Sequence, residues 1–461
     1  MYRFRSLENL LGKHKELEKQ EIYFASLDQL NDPMEGYRKY YWKGDKIVWE
    51  NLFKHYILCL ESTITLVGLC DDEEIELVSQ SLPIYLTKDD LETDLYKNRI
   101  GRIYKLFFQD KFIQLLLNII SSNPYRAYRE ELYFYLRIIH IKAIKSIVNV
   151  NIQDGLIKNK IFKDLVFDEF NYEHLNSKDF WNELNEQEYR VFISELNHIL
   201  KQLNMKTLIE TGDNPKIQTI LIEFPELYIN QILQLVYPAT YIACFMREYR
   251  DSSIWGTYGD NHKGVCLKFK TNLNNPKLKL KAISSWNSSS GYNYQFREFD
   301  FRLVNYTNEV YELDFFTNLG RLPMPKIQEW YKNENGELSI CAQNIFKDEE
   351  KWRKTHWEQF EPSLLRKLPD WKKEKEYRIL LTSILDGYED PNNRLLKYDF
   401  NDLETLIFGV RTPVKERKEI INIIESKCIK NDRKKFDFYE MHYSSLRGKL
   451  ESRKIHSINL S

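Results

Sequence analysis

The chain has 461 residues, enough for two or three domains of about 150 residues each and for a sizeable buried core. Its 67 basic and 68 acidic residues leave a formal net charge of −1, which gives no whole-chain signal for binding nucleic acid or an anionic membrane. The 30 Tyr and 26 Phe, set against only 16 Gly, indicate a folded and helix-rich protein rather than a disordered one.

The opening residues predict two short strands and a sharp turn. "YRFRS" (Tyr2–Ser6) and "EIYFAS" (Glu21–Ser26) read as strands, and "LNDPMEG" follows the second of them. The residue before a proline avoids helical backbone, so Asn31 and Asp32 are expected in a turn, with Glu35 just beyond it. The turn is therefore a candidate rim of a site, and a capped helix start at Asp32 is the alternative.

A long helical region follows this turn. Residues 43–235 carry apolar side chains at three- and four-residue spacing, without metal-ligand spacing or a glycine-rich loop. His140 and His198 lie within apolar stripes and are predicted to be core or flanking residues rather than ligands. This region is predicted to be a helical insertion with room for a partner protein.

Strand-like runs return after Pro238. Six short apolar or alternating runs are predicted to share one sheet: Tyr2–Ser6, Ile22–Ala25, Tyr241–Phe245, Val265–Phe269, Tyr377–Leu381 and Leu406–Val410. Strands and helices do not alternate regularly, which favours an α+β fold with a central, mostly antiparallel sheet over a doubly wound parallel sheet. The predicted domains are an α+β core of 1–42 and 236–445, the helical insertion of 43–235 and a flexible tail of 446–461.

The cysteines and the apolar runs bear on location. The six cysteines include no Cys-x-x-Cys motif, the first residues lack the apolar core of a signal peptide, and no run reaches the ~18 apolar residues of a membrane span. Reduced structural thiols in a cytoplasmic protein without a membrane segment are therefore expected.

Several blocks resemble, in chain order, the domain-of-unknown-function family 2971. They read "YRFRS", "IYFASLDQLNDPMEG", "CFMREYRDSSIWGTYGDNHKGVCLKF", "WKKEKEYRILL" and "LIFGVRTP". Two features depart from the family pattern: Met246 stands where members commonly have Ser, and the helical region before "CFM" is longer than usual. Members are similar to proteins linked with abortive phage resistance and toxin-like genes, so the resemblance implies a defence or toxin-like role.

The order of these blocks is compatible with an ADP-ribosyltransferase site that uses NAD as a substrate. Such sites place an Arg or His on the first strand, Ser or Thr with aromatic residues in the middle, and a Glu-x-Glu at a late strand. Glu374 and Glu376 fit the last position, because the two-residue period of a strand would send both carboxylates the same way. The candidate NAD-binding residues are Arg3, Arg5, Ser26, Asn31, Asp32, Glu35, Trp255, Thr257, Tyr258, His262 and Arg378.

The chemistry assigns each group a role. Breaking the nicotinamide–ribose bond develops oxocarbenium character, which the Glu376 carboxylate would stabilise, as in glycosidases. Glu374 would orient or deprotonate the acceptor, an unidentified macromolecule. An Arg would bind the pyrophosphate, and a Tyr or Trp face would suit the nicotinamide ring.

Other interpretations remain open. Glu376 could form an ordinary ion pair with Arg378 or Arg411, and Trp255 and Tyr258 could be core aromatics. Pro369-Asp370 with the nearby acids faintly resembles a magnesium-dependent nuclease motif. A non-catalytic binding or regulatory protein is the remaining class, and a basic stripe around Arg411–Lys418 could contact RNA. Convergence of the candidates on one pocket would favour an enzyme.

Overall fold

The structure is a computed structural model, and it describes residues 1–460 apart from 33, 70–81, 157–180, 182, 212–213, 273 and 383–386. Parts of the predicted helical insertion and Pro33 of the predicted turn therefore lie outside the described residues. The α+β prediction is confirmed: helices and a large, mostly antiparallel sheet make up the described chain.

The strands and helices follow one another irregularly along the chain. The strands are β1 (Tyr2–Arg5), β2 (Glu21–Tyr23), β3 (Arg38–Tyr41), β4 (Thr240–Met246), β5 (Val265–Phe269), β6 (Lys277–Asn287), β7 (Gly291–Asp300), β8 (Arg302–Leu303), β9 (Asn305–Tyr306), β10 (Tyr311–Asp314), β11 (Arg366–Lys367), β12 (Glu376–Thr382), β13 (Leu395–Tyr398), β14 (Leu403–Phe408), β15 (Lys435–Ser444) and β16 (Lys449–Asn459). The α-helices are α1 (Leu7–Leu11), α2 (Glu16–Lys19), α3 (Lys46–Leu69), α4 (Asp94–Phe108), α5 (Lys111–Ser122), α6 (Arg129–Gln153), α7 (Glu186–Thr211), α8 (Pro215–Gln218), α9 (Phe224–Ile232), α10 (Ser252–Thr257), α11 (Met324–Tyr331), α12 (Gln343–Lys347), α13 (Glu349–Glu358), α14 (Phe360–Leu364) and α15 (Val414–Lys430).

The chain divides into two compact units. Unit 1 comprises Met1–Tyr37, Pro238–Val310 and Glu361–Ser461, and unit 2 comprises Arg38–Tyr237 and Tyr311–Phe360. The sequence assigned residues 311–360 to the core domain, whereas the structure groups them with the helical region. Their strand β10 pairs in parallel with β3, which explains the grouping.

Unit 1 is built on an eight-stranded sheet with the order β16-β15-β14-β5-β1-β4-β12-β8. Its neighbouring strands are antiparallel except for β14 and β15. Five of the six predicted runs lie in this sheet, but the placement of Ile22–Ala25 was wrong. Strand β2 pairs with β13 in a second sheet, β2-β13-β6-β7, and only Ala25 bridges back to Ile242.

One hydrophobic core joins the eight-stranded and the four-stranded sheet of unit 1. Phe245, Leu267 and Ile379 of the large sheet pack together with Leu280 of the second sheet and Ile424 of α15, and all five are buried. Short apolar runs distant in sequence therefore share one core, which is why they alternate apolar and polar residues.

The predicted flexible tail of 446–461 contains an ordered strand. β16 pairs antiparallel with β15 from Lys449 to Asn459, and the side chains of Leu450 and Ile458 are buried. An edge strand covers the core with one face only, so its sequence is largely polar and resembles a loose tail.

Unit 2 is mostly helical in its described part. His140 lies in its core, with Nδ1 2.8 Å from the Tyr56 hydroxyl and Nε2 2.7 Å from the Ile220 carbonyl oxygen. Burial lowers the pKa of His140 to about 3, so its imidazole is neutral. His198 is exposed and contacts Gln202.

The two faces of the large sheet differ. Paired residues on neighbouring strands share a face, and the pairings run from Glu376 through Met246, Tyr2 and Lys268 to Thr405. We call this face the site face. Helix α10 covers part of it, where Trp255 packs edge-on against Phe4.

Candidate functional site

Five charged side chains meet inside unit 1 at the start of β12: Glu35, Lys367, Glu374, Glu376 and Arg378. We call them the charge cluster. Each side chain exposes 6% or less of its surface. The Lys367 ammonium lies at the centre, 2.9 Å from Glu35, 2.7 Å from Glu374 and 3.0 Å from Glu376. Buried charges require such pairing, because an isolated one would be strongly destabilising.

Arg378 forms the second cationic centre of the cluster. Its Nε donates to Glu376 at 2.8 Å, its Nη2 donates to Glu35, and its Nη1 donates to the Leu364 carbonyl oxygen at 2.6 Å. Glu376 therefore lies between two cations, and Glu35 bridges the same pair. The cluster holds three carboxylates against two cations, one more negative than positive group when all five are ionised.

The local backbone explains how Glu374 and Glu376 reach the same cation. Glu374 ends a 3-10 helix that spans Pro369–Glu374, Glu376 begins β12, and Lys375 between them has left-handed backbone with φ 45°. The two carboxylates converge as predicted, but the strand period is not the cause, because Glu374 precedes the strand. A left-handed lysine is an uncommon, strained conformation of the kind found at functional sites.

The "NDP" turn contributes three of its predicted residues to this region. Glu35 enters the charge cluster, and the Asn31 side chain hydrogen-bonds to the Tyr258 hydroxyl. Asp32 is buried; its Oδ1 accepts a hydrogen bond from the Met34 amide at 2.9 Å, while its Oδ2 has no hydrogen-bond partner within the described residues. An unpaired buried oxygen of this kind is rare and calls for an explanation such as ligand binding.

Half-buried aromatic residues contact the cluster. The Tyr258 hydroxyl donates to Glu374 at 2.6 Å, and the Tyr306 hydroxyl accepts from the Glu376 amide at 2.8 Å. The Trp371 ring centroid lies 4.8 Å from the Lys367 ammonium, within cation–π distance. Tyr258 was predicted from the sequence, whereas Lys367, Tyr306 and Trp371 were not.

The local environment shifts the pKa values of Glu374 and Glu376 in opposite directions. Burial raises the pKa of Glu374, and the Lys367 ammonium offsets only part of this effect. Burial acts on Glu376 in the same direction, but Arg378 and Lys367 outweigh it and lower the pKa of Glu376 to about 2. Burial also raises the pKa of Glu35. Two neighbouring carboxyls with pKa values shifted in opposite directions are typical of acid–base sites.

Arg3 and Arg5 lie away from the cluster for a geometric reason. In β1, Tyr2 and Phe4 point to the site face, so Arg3 and Arg5 point to the opposite face. Arg3 donates to the carbonyl oxygens of Tyr23 and Cys244, and Arg5 pairs with Glu16.

Three further candidate residues form hydrogen bonds that support the local fold. Trp255 is fully buried and donates from its indole to the Tyr249 carbonyl oxygen at 2.6 Å. Thr257 donates to the Ser253 carbonyl oxygen at 3.0 Å within α10. Ser26 begins a 3-10 helix at Leu27–Gln29 and accepts from Gln29 in a capping box. These three residues position Tyr258 and the "NDP" turn instead of contacting the charge cluster.

His262 lies in an unusual turn next to α10. Asp260, Asn261 and His262 all have positive φ, at 49°, 50° and 69°. The turn is held by its own backbone: the His262 amide donates to the Trp255 carbonyl oxygen, and the His262 carbonyl oxygen accepts from the Arg411 amide at 2.9 Å. Burial and the nearby Arg411 lower the pKa of His262, which favours a neutral ring.

We expect Gly409→Ala to destabilise unit 1 by about 1–3 kcal/mol. A Cβ at this position would lie 2.2 Å from the His262 carbonyl oxygen. This oxygen belongs to the backbone, so it cannot move aside as the end of a flexible side chain could. Gly256→Ala is the matched control, since its Cβ would meet nothing within 4 Å. Alanine there should stabilise α10 by up to about 1 kcal/mol. Urea denaturation of both variants checks the expectation, and equal midpoints would contradict it.

The described part of the chain contains no candidate metal site and no candidate membrane span. No group of three or more His, Cys, Asp or Glu side chains there is arranged to hold a metal ion. No described helix combines the length and apolar character needed to cross a membrane.

The comparison with protein families agrees with the sequence blocks. Residues 254–379 match the family described as protein of unknown function, DUF2971. The matched segment contains Tyr258, Lys367, Glu374 and Glu376, and it ends just after Arg378. No curated protein and no solved structure matches the chain.

Proposed function

We propose that unit 1 is an ADP-ribosyltransferase-like enzyme that uses NAD as a substrate, with Glu374 and Glu376 as its reactive carboxylates. The observation that carries this proposal is the convergence of both carboxylates on the Lys367 ammonium, where Glu376 also contacts Arg378. The pKa of Glu376 is accordingly lowered, whereas burial raises that of Glu374. A carboxylate that stays ionised can stabilise positive charge, and a neighbour with a raised pKa can exchange a proton near neutral pH.

In the proposed reaction, the bond between nicotinamide nitrogen and ribose carbon breaks, and its electron pair leaves with nicotinamide. The positive charge that develops on the ribose is stabilised by Glu376, whose ionisation is supported by Arg378 and Lys367. An acceptor oxygen then attacks the same carbon, and its proton passes to Glu374. Water as acceptor gives NAD cleavage, and a macromolecular acceptor gives ADP-ribosylation.

The biological setting is part of the same proposal. The resemblance to a family linked with phage resistance and toxin-like genes supports a defence or toxin-like effector that depletes NAD or modifies a host component. Free thiols at Cys59, Cys244, Cys266, Cys341 and Cys428 support a reducing, cytoplasmic setting. Unit 2 is proposed to bind a partner protein that triggers the activity.

A non-catalytic binding or regulatory role is the second candidate, favoured by the pairing within the charge cluster. Glu376 is buried between Arg378 and Lys367, and both of its oxygens accept hydrogen bonds from these cations. A cluster with only this role would hold β11, β12 and the "NDP" turn together without reacting.

Nicotinamide release separates the two candidates. Glu374→Gln keeps the side-chain volume and an acceptor for Tyr258, but it cannot take up the acceptor's proton. We expect release to fall at least ~10²-fold, because positioned proton transfer contributes that much. Melting temperature should change little, because the raised pKa of Glu374 means that neutralising it costs the folded state little.

The matched control for this experiment is Glu248→Gln, the loss of an exposed carboxylate that pairs with Lys375 near the same turn. It should leave release unchanged. If wild type released no nicotinamide from NAD across partner and lysate conditions, the enzymatic proposal would be overturned in favour of the binding role. Equal release by wild type and Glu374→Gln would remove Glu374 from the mechanism.

A further inference from the structure

A concave region lies on the site face of the large sheet, separate from the charge cluster. It is a groove of about 560 Å³, a volume within the range of small-molecule sites. Its floor is formed by β1, β5, β14 and β15, through Tyr2, Lys268, Thr405 and Asp437. We call it the tyrosine groove.

The groove offers aromatic surfaces. The rings of Tyr2 and Tyr249 lie 4.7 Å apart at an angle of 36°, and Tyr439 lines the same groove. The hydroxyl of Tyr249 is 2.9 Å from that of Ser452, which fixes the orientation of its ring. A planar base can stack on such rings, whichever base it is.

The charges of the groove leave two cations without a direct ion pair. Lys268 pairs with Glu404, and Asp437 pairs with Lys454 at 2.7 Å. Arg250 and Lys435, by contrast, have no carboxylate within ion-pair distance among the described residues. Among the described residues, Arg250 contacts Tyr249, through the hydroxyl at 3.3 Å and through the ring. Two cations without a direct ion pair, in the same groove as the tilted pair of Tyr2 and Tyr249 rings, match a ligand that carries both a flat base and negative phosphates.

From this combination we infer that the tyrosine groove binds a free nucleoside diphosphate. The base stacks on Tyr2 and Tyr249, the phosphates pair with Arg250 and Lys435, and a ribose hydroxyl donates to Glu404 or Asp437. The size of the groove favours a single nucleotide over a nucleic-acid strand, which would need an extended basic channel.

The groove is close to the charge cluster but separate from it. Tyr2 on β1 and Glu376 on β12 each pair with Met246 on β4, the strand between them. Two strand spacings, about 10 Å, therefore separate Tyr2 from Glu376 across the sheet. The inference does not depend on the proposed reaction, because binding is measured without turnover. It gives the site face a ligand of its own, separate from the one that the charge cluster is proposed to bind.

Titration calorimetry with ADP tests the inference on the full chain. We expect one ADP per chain, with adenosine and inorganic pyrophosphate each binding at least about tenfold more weakly, because each lacks one half of the contacts. Arg250→Ala and Lys435→Ala should each weaken ADP binding by about tenfold, as expected for losing a charge-assisted contact. Tyr249→Leu should weaken ADP and adenosine but leave pyrophosphate unchanged.

Two controls separate this result from the other proposals. Lys277→Ala removes a surface lysine that pairs with Glu298 outside the groove, and it should bind ADP like wild type. Glu374→Gln should also bind ADP normally, so loss of catalysis and loss of groove binding are distinguishable. No ADP binding by folded wild type, binding that survives the groove variants, or tighter binding of a single-stranded oligonucleotide than of ADP would each overturn the inference.

Discussion

Replacing Lys367 by Met is expected to destabilise unit 1 by about 3–5 kcal/mol, the range observed when one partner of a buried ion pair is removed. Its ammonium is within 3.0 Å of three carboxylates, and its side chain is 3% exposed. Burial alone would lower the pKa of Lys367, but Glu376 and Glu35 outweigh this and raise it, so the lysine is charged. Met keeps the length and removes the charge.

The other charged groups of the cluster limit the loss of stability in Lys367→Met. Without Lys367, Arg378 is the remaining cation of the cluster, and it pairs with Glu35 and Glu376 but not with Glu374. The carboxyls with raised pKa values, Glu374 and Glu35, can bind protons. Lys367→Met should therefore regain part of its stability as pH falls toward 5, because protonation removes the unpaired negative charge. Wild type should gain less over the same interval.

Lys375→Met is the matched control, eight residues further along the chain. Lys375 pairs with Glu248 at the surface, with 53% of its side chain exposed, so its removal should cost less than about 1 kcal/mol. Because the chain has two units, hydrogen exchange of the β4 and β12 amides reports unit 1 better than a single melting temperature. Equal exchange in the two variants would show that the charge cluster does not stabilise the sheet.

The strand runs of unit 1 could be predicted because each carries its own apolar pattern. Tyr241–Phe245, Val265–Phe269 and Leu406–Val410 bury one or both faces, so their sequences alone indicate strands. Which sheet a short strand joins depends on its partners. β2 pairs with β13, which is more than 370 residues away, and nothing local in "EIYFAS" encodes that choice.

Only part of the charge cluster could be predicted from the sequence, for a related reason. Glu374, Glu376, Glu35 and Arg378 lie in or beside conspicuous local patterns, namely a Glu-x-Glu, a proline turn and a strand. Lys367 lies on a two-residue strand, β11, and its role arises from contacts with three other segments. One signal was available: a single lysine in the apolar context "SLLRKLPDW", where an exposed position is not expected.

The position of Arg3 and Arg5 relative to the charge cluster depends on which way the strand faces. The sequence shows Arg3 and Arg5 on a strand but cannot show which face of that strand is turned toward the late carboxylates. The pairing of Tyr2 with Met246, and of Met246 with Glu376, settles this in favour of Tyr2. A shift of one residue exchanges the two faces, so register is the information that a single sequence lacks.

The stability difference between wild type and Glu376→Gln is expected to shrink by about 2 kcal/mol as pH falls from about 4.5 to 3. If Glu376 formed the ordinary ion pair that the sequence left open, its loss would barely affect folding. The structure corrects that expectation, because Glu376 is 1% exposed and paired with Lys367 and Arg378. Glutamine leaves both cations short of a negative charge, so the variant should be several kcal/mol less stable near neutral pH.

The direction of the Glu376 pKa shift determines how this stability difference changes with pH. The pKa of Glu376 is lowered in the folded state, so its stabilisation is complete above its unfolded pKa of about 4.5. It is then lost as pH falls toward the folded value of about 2. Glu374 and Glu35 have raised pKa values and act in the opposite sense at higher pH. The Glu376 charge is one cause of both shifts, so the difference between the proteins reports Glu376 together with its effect on these two carboxyls.

Urea unfolding at half-unit pH steps, followed by exchange of the β12 amides, measures this difference, and Glu248→Gln corrects for the loss of any surface carboxylate. A difference that stays constant from pH 5 to pH 3 would show that Glu376 is not held ionised by the two cations. The same result would also contradict the proposed stabilisation of the oxocarbenium-like ribose by Glu376, because that role requires a carboxylate that the two cations keep ionised. A shrinking difference, together with retained nicotinamide release by folded Glu376→Gln, would instead assign Glu376 to the architecture of the sheet and leave Glu374 as the reactive carboxylate.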